Sequence, residues 1–476
     1  MKESGIIFVD PPIVNGNAEE IPGRYYGHLP HLGLCSLAAV AEREGYRTAI
    51  LDAVALQFSL KQVLGEVERQ SPRYVGISAM THSISSASTL AKIIKENLHD
   101  VKVILGGVHI TAATEETLAK YPGCFDFCVL GEGETTIIEL LRALESGGAL
   151  NDVPGLAFVS DNHVVRTRPR ELIRDLDVLP FPAWHLLPDM QQHYGATLIS
   201  AGNKFSNHLL TSRGCPGRCI FCDTTVNGHK IRGFSSAYVL DMIDILHKKY
   251  HVSDIQFNDD TFVTLKKRMI EICDKLIEKN YKLSWSCDAR ASDVTEESLK
   301  IMKAAGCWQI AFGVETGSSR VMDFINKKIT HEQIKNAFKW AKAAGISTKG
   351  FFILGHPTED KESIQETIDL MLSLDIDVIG VTFFTAFPGS PIFSSIDQYG
   401  EFDSDWDKTN VYEIGNFIPH GFTEEELINL RRRALRQFYF RPKYIAKQLC
   451  NVRKPYDLYR LIAGGMKIVT KNVMKN

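Results

Sequence analysis

The chain alternates short apolar runs with amphipathic stretches of helical period, and it does so in two separate blocks. This is the pattern of βαβ units around a parallel sheet, because parallel neighbours need a crossover and the crossover is usually a helix. In the first block the strand-like runs are residues 6–10, 48–52, 74–79, 101–105 and 126–130. Helical patterns fill 33–44, 60–70, 85–97, 115–121 and 134–145. The runs YVGIS and VKVIL are nearly continuous in apolar character, as strands buried on both faces are. The block predicts an α/β, doubly wound Rossmann-like domain over residues 1–147, with ligands expected outside the carboxyl ends of its strands.

The second block predicts strands at 209–212, 254–258, 283–287, 308–313, 348–354 and 378–384. The helices expected between them span 238–250, 266–279, 296–305, 332–344 and 362–374. Six βα repeats make a partial TIM-type (β/α)6 barrel over 206–400, with its active face at the carboxyl ends of the strands. Residues 148–205 are rich in Pro and charge with weak periodicity, and are read as a linker. Residues 401–476 are read as a mostly helical cap. From Thr423 onward they carry thirteen Lys/Arg against four Asp/Glu, the composition of a solvated helical face.

Composition narrows the setting. Apolar residues are 44% and charged residues 23% of the 476, with a net charge of −3, so nothing favours nucleic acid as a partner. No apolar run approaches the ~18 residues of a membrane span. The sequence enters its first strand without a signal-like apolar region. Seven of the ten cysteines are scattered, which fits a reducing cytoplasm.

The other three cysteines form the motif Cys215-Pro216-Gly217-Arg218-Cys219-Ile220-Phe221-Cys222, directly after the first barrel strand. Soft thiolates at these spacings suit an iron–sulfur cluster or zinc. Zinc takes four ligands, and only Asp223 and His229 lie near as weak additional candidates.

With this C-x3-C-x2-C loop the chain resembles the radical S-adenosylmethionine (SAM) superfamily. The resemblance implies a [4Fe–4S] cluster on Cys215, Cys219 and Cys222, with SAM chelating the open iron and Phe221 bordering its adenine. It also implies a SAM site built from strand ends in order: Asp259 and Asp260 for the amino group, Arg290 for the carboxylate, Glu315, and the segment from Gly350 through Ile353 to Gly355 behind the adenine.

The first block resembles the cobalamin-binding domain fused to many radical SAM enzymes. The matching residues are Pro11-Pro12, His31-Leu32-Gly33, Ser78-Ala79-Met80-Thr81, Gly106-Gly107-Val108-His109 and Gly131-Glu132-Gly133. His109 is expected as a wall of that site. The D-x-H-x-x-G motif, whose His ligates cobalt in many cobalamin proteins, is absent. The loop after the second strand reads Asp52-Ala53-Val54-Ala55-Leu56, and Asp161-Asn162-His163 lacks the Gly. The resemblance therefore implies cobalamin bound without a His ligand.

Together the two resemblances imply a cobalamin-dependent enzyme that methylates an unactivated carbon of a small-molecule substrate. The 5′-deoxyadenosyl radical would take the hydrogen, methylcobalamin would give the methyl, and flavodoxin or ferredoxin would supply the electron. Two alternatives stand beside it: an anaerobic oxidative cyclase of the magnesium-protoporphyrin ester type, and a non-enzymatic corrinoid sensor or carrier.

Overall fold

The computed structural model describes residues 5–12, 28–195 and 205–450. In the first sheet, β1 (Gly5–Asp10), β2 (Arg47–Asp52), β3 (Tyr74–Ser78), β4 (Lys102–Gly106) and β5 (Phe127–Val129) run parallel. The strand order is β2-β1-β3-β4-β5, continued by β6 (Leu156–Ser160) and β7 (His163–Arg166). The order reverses between β1 and β3, which opens a crevice at their carboxyl ends. Side chains of β1 alternate between two cores. Ile6 and Phe8 meet the helices Leu32–Arg43 and Gly133–Ser146, while Ile7 and Val9 meet Leu60–Gln70 and Ile84–Asn97.

The strands β6 and β7 correct the linker reading of 148–205. They form an antiparallel hairpin on the edge of β5. Asp161 (φ 49°) and Asn162 (φ 62°) make its two-residue turn with both positions left-handed, the geometry that matches strand twist. The hairpin also covers a strand edge that would otherwise be open. Only the stretch after it crosses between the two halves, burying Leu176, Ala183 and Trp184 as it goes.

In the second half, β8 (Ser206–Leu209) is followed by the short pair β9 (Ser212–Arg213) and β10 (Arg232–Gly233). Then come β11 (Asp254–Phe257), β12 (Ser284–Ala289), β13 (Cys307–Glu315), β14 (Ser347–Leu354) and β15 (Val378–Phe383). The barrel sheet is parallel, in the order β15-β14-β13-β12-β11-β8. The first barrel strand lies three residues earlier than the sequence pattern suggests. Asp259 takes the backbone N–H groups of Thr211 and Ser212, so these two residues leave the ladder.

The C-terminal part is less helical than expected. The strands β16 (Gly400–Phe402) and β17 (Phe417–Pro419) pair antiparallel before the helices Glu424–Tyr439 and Pro442–Cys450. Residues 451–476, also assigned to the cap, lie outside the described residues. Between the two strands Trp406 reaches back into the first domain. It is 8% exposed, its ring lies 4.4 Å from that of His109, and Lys120 Nζ sits 4.6 Å above it. Among the described residues no helix is long and apolar enough to cross a membrane.

This contact ties the end of the barrel to the first sheet. Trp406→Ala is expected to cost about 3–5 kcal/mol, as loss of a buried aromatic does. Hydrogen exchange should then speed up in Ile84–Asn97 and Thr114–Lys120, which pack around it. Unchanged exchange in both helices would show that the contact is incidental.

Candidate cofactor site

The cysteine loop hangs from the neck formed by β9 and β10, where Arg213 faces Arg232 directly. Like charges opposite one another destabilise a strand pair. Here Glu132 of the first domain lies between them. Its carboxylate accepts from Arg213 Nη1 at 2.8 Å and from Arg232 Nη1 at 3.0 Å, and Glu134 takes the other end of Arg213. All four side chains are at most 15% exposed. Glu132 also accepts from the backbone N–H of Ile173 at 2.8 Å. The sequence reading had Glu132 binding cobalamin. The structure commits its carboxylate to holding the cysteine loop on the first domain.

Within the loop, Gly214 has φ 86°, and a Cβ there would lie 2.6 Å from the Lys230 carbonyl, so only glycine fits before Cys215. The three thiols lie close enough to influence one another. Burial, with Cys219 and Asp260 nearby, pushes Cys222 up to about 12. The Gly217 N–H donates to Cys215 Sγ at 3.4 Å. Neither weak fourth ligand is free: His229 Nδ1 meets the Gly217 carbonyl at 2.9 Å, and Asp223 accepts from the Thr225 N–H at 2.8 Å. Three sulfurs without a fourth protein ligand among the described residues fit a cubane that leaves one iron open. By contrast Cys273, Cys287 and Cys307, scattered in sequence, are packed together in the apolar barrel core.

The SAM set separates into parts. Asp260 is exposed, has no side-chain partner among the described residues, and borders a cavity between the two halves. Asp259 is a correction to the sequence reading. It is buried, and both of its oxygens are used on Thr211 and Ser212, so it is the anchor of the strand end. Arg290 lies against Gly217 of the loop. Glu315 (φ 67°) pairs with Lys327 Nζ at 2.7 Å, both buried, in space that any side chain at Gly313 would fill. A buried lysine 12 residues beyond Glu315, in a turn, carries no periodic signal and was missed. Phe221 and Ile353 meet Phe384 in one apolar cluster, and Gly355 (φ 85°) follows the end of β14.

The cavity occupies the crevice at the carboxyl ends of the first sheet and has about 1060 Å³, its open mouth included. Six glycines line it: Gly33, Gly76, Gly106, Gly107, Gly131 and Gly133. Bare backbone of this extent suits a bulky ligand. Gly107 (φ 104°) admits no Cβ, which would fall 2.6 Å from the Ala79 carbonyl. Ser78 and Glu132 also line the cavity, and Leu210, Ser212, Arg213, Val226, Asn227 and Asp260 close it from the barrel side.

Pro11, Pro12, Leu32, Thr81 and His109 do not line it. Pro12 and Leu32 are packing residues: the Pro12 carbonyl accepts from Ser86 Oγ, and Leu32 opens a core helix. His109 is fully buried, with Nδ1 on Thr81 at 3.3 Å, Nε2 on Thr117 at 3.0 Å, and Trp406 packed against its ring in a T-shaped contact.

Two further histidines near this edge are occupied as well. His28 Nε2 bonds Asp52 at 3.0 Å, although no His neighbours Asp52 in sequence. His31 Nδ1 accepts from the Leu34 N–H at 3.2 Å, so the neutral ring carries its proton on Nε2 and offers no lone pair to the cavity. His31 is the one histidine lining the cavity among the described residues, so the cavity fits a corrinoid held without a histidine ligand.

The domain-bridging ion network generates a prediction. Arg213→Met leaves Glu134 buried and unpaired, and should destabilise the protein by about 3–5 kcal/mol in urea unfolding. Adding Glu134→Gln should recover part of that loss. A single-variant loss below about 1 kcal/mol would place the network at the level of a surface pair.

The comparisons agree with this geometry. Residues 209–371 match the radical SAM superfamily and residues 23–141 the B12 binding domain. An uncharacterized methyltransferase, PH0819 from Pyrococcus horikoshii, is 35% identical, covering 98% of this chain and 99% of the relative. The anaerobic magnesium-protoporphyrin IX monomethyl ester cyclase of Rubrivivax gelatinosus is 28% identical over 92% of this chain and 78% of its own. Among solved structures, the cobalamin-dependent SAM radical enzyme OxsB, with aqua-cobalamin and SAM bound, has the same fold. It has a TM-score of 0.76 at 18% identity, covering 97% of this chain and 70% of that one. The radical SAM methyltransferase TsrM from Kitasatospora setae gives 0.66 at 20% identity, covering 82% and 74%. The chain belongs to the cobalamin-binding radical SAM enzymes, whose cofactors are a [4Fe–4S] cluster, SAM and cobalamin.

Proposed function

We propose that this enzyme methylates an unactivated carbon of a small-molecule substrate. The observation that supports this reading is the shared cavity: its glycine wall belongs to the B12-binding domain, and its opposite wall runs into the cysteine loop through Ser212 and Arg213. Bound at those walls, the cluster and SAM supply a 5′-deoxyadenosyl radical that abstracts hydrogen, and methylcobalamin supplies the methyl group.

The chain's own residues orient and seclude. Cys215, Cys219 and Cys222 hold the cluster. Asp260, without a side-chain partner among the described residues, accepts from SAM's ammonium in a charge-assisted bond, and Arg290 beside Gly217 takes its carboxylate. The Glu315–Lys327 pair fixes the loop end next to Cys219. Phe221, Ile353 and Phe384 make a dry wall that keeps water from a reactive radical. Gly33, Ser78, Gly106, Gly107, Gly131 and Gly133 take the corrinoid. A flavodoxin or ferredoxin delivers the electron, and a cytoplasmic setting keeps the ten free cysteines reduced.

The cyclase relatives, alike over most of the chain, favour a second reading as an oxidative ring-forming enzyme. Product stoichiometry separates the two. Methylation predicts about one 5′-deoxyadenosine and about one S-adenosylhomocysteine per turnover, because SAM serves both as radical source and as methyl donor. Anaerobic turnover quantified by mass spectrometry should show the pair in step with a product one methylene heavier. A dehydrogenated or oxygenated product without matching S-adenosylhomocysteine would establish the cyclase reading instead.

A further inference from the structure

Side chains alternate across each barrel strand. In β11, β12, β14 and β15 one set is buried against the helices, among it Phe257, Cys287, Phe352 and Phe383. The other set, which includes Gln256, Asp288, Lys349, Phe351 and Thr382, faces the barrel lumen and is partly exposed, so the lumen is open to solvent. Two opposite charges stand in it. Asp288 of β12 and Lys349 of β14 both flank Ala311 of β13 in the parallel register, so they share one level of the barrel with a small residue between them. Lys349 precedes Ile353 on the same face of β14, which sets its backbone about 13 Å deeper in the barrel than that residue.

Among the described residues neither charged side chain makes a hydrogen bond or an ion pair. Lys349 Nζ lies 4.4 Å over the ring of Phe351, the next lumen-facing residue, so the ammonium reaches toward the carboxyl end of the barrel. A ring face steadies an ammonium but leaves its N–H donors unmatched. Burial lowers the lysine, and the Asp288 carboxylate acts against that, holding it protonated. A methionine would fill the same space without the cost of a desolvated charge. A charge held out of direct pairing, and aimed along an open lumen, is the arrangement of a recognition group whose partner arrives with a ligand. We infer that Lys349 is a specificity-determining residue that takes an anionic group, carboxylate or phosphate, of the small-molecule substrate. This role rests on the proposed action on a small molecule, and it narrows that substrate to carboxylic acids and phosphate esters.

The test uses the anaerobically reconstituted holoenzyme with SAM and cobalamin bound and the cluster left oxidised. Three small probes, para-fluorobenzoate, para-fluorophenyl phosphate and the neutral para-fluorobenzamide, are titrated while their fluorine nuclear magnetic resonance lines are followed. At least one anionic probe should bind about tenfold more tightly than the amide, the worth of one charge-assisted hydrogen bond. Preference for the benzoate alone assigns a carboxylate, and preference for the phosphate ester alone assigns a phosphate. In Lys349→Met the cluster absorbance should persist and the preference should vanish. An unmodified holoenzyme that prefers neither anionic probe overturns the inference, whether or not the variant folds. So does a Lys349→Met enzyme that keeps the preference. Binding needs no turnover, so the outcome does not depend on whether the product is methylated or dehydrogenated.

Discussion

One carboxylate holds the two halves of this protein in register. Glu132 projects from the start of the helix Gly133–Ser146, where the helix dipole already favours negative charge, and accepts from two arginines that face each other across the neck of the cysteine loop. Without it, Arg213 and Arg232 would repel one another in a poorly hydrated interface. With it, the loop leaves the barrel in one direction and faces the glycine-lined crevice of the first sheet. The second acid, Glu134, balances the charge of the network, which has two arginines and two glutamates within one buried patch. Buried ion networks of this kind contribute little net stability, but they penalise every other arrangement of the same parts.

From that fixed geometry the rest of the site follows. The crevice at the reversal of strand order supplies bare backbone, and the loop supplies three thiols. Asp260, at the barrel's edge of the cavity, is the acid among those lining it that has no side-chain partner among the described residues. Trp406 makes a second bridge on the far side of the first sheet, packing on His109 and under Lys120. The two domains are therefore joined by an ionic contact on one side and an aromatic contact on the other, with the cavity near the ionic one.

Most of the fold was legible because burial on both faces of a parallel strand, and on one face of a helix, leaves a periodic trace in the chain. Where local periodicity competes with tertiary hydrogen bonding it misleads. Thr211 and Ser212 look like strand residues, yet their N–H groups go to Asp259. The hairpin of β6 and β7 was hidden by the charge and proline around it, although Asp161-Asn162 between two short apolar runs is a turn signal. Among site residues, the motif order located the cysteine loop and the glycines. Sequence did not distinguish Asp259 from its neighbour Asp260, because only the folded loop decides which carboxylate is already occupied. Nor did it separate His109, satisfied on both nitrogens, from a ligand-facing histidine. Glu132 lines the cavity, and the two arginines its carboxylate holds could not be read from the sequence, since they are 81 and 100 residues away.

The central claim is that the cluster loop and the corrinoid wall face each other across one cavity. Electron paramagnetic resonance of holoenzyme carrying both a reduced [4Fe–4S] cluster and cob(II)alamin tests this most directly. The account predicts spin–spin broadening of both signals, and its loss in Arg213→Met, where the neck of the loop is released. Two sharp, independent spectra in the unmodified holoenzyme would contradict it.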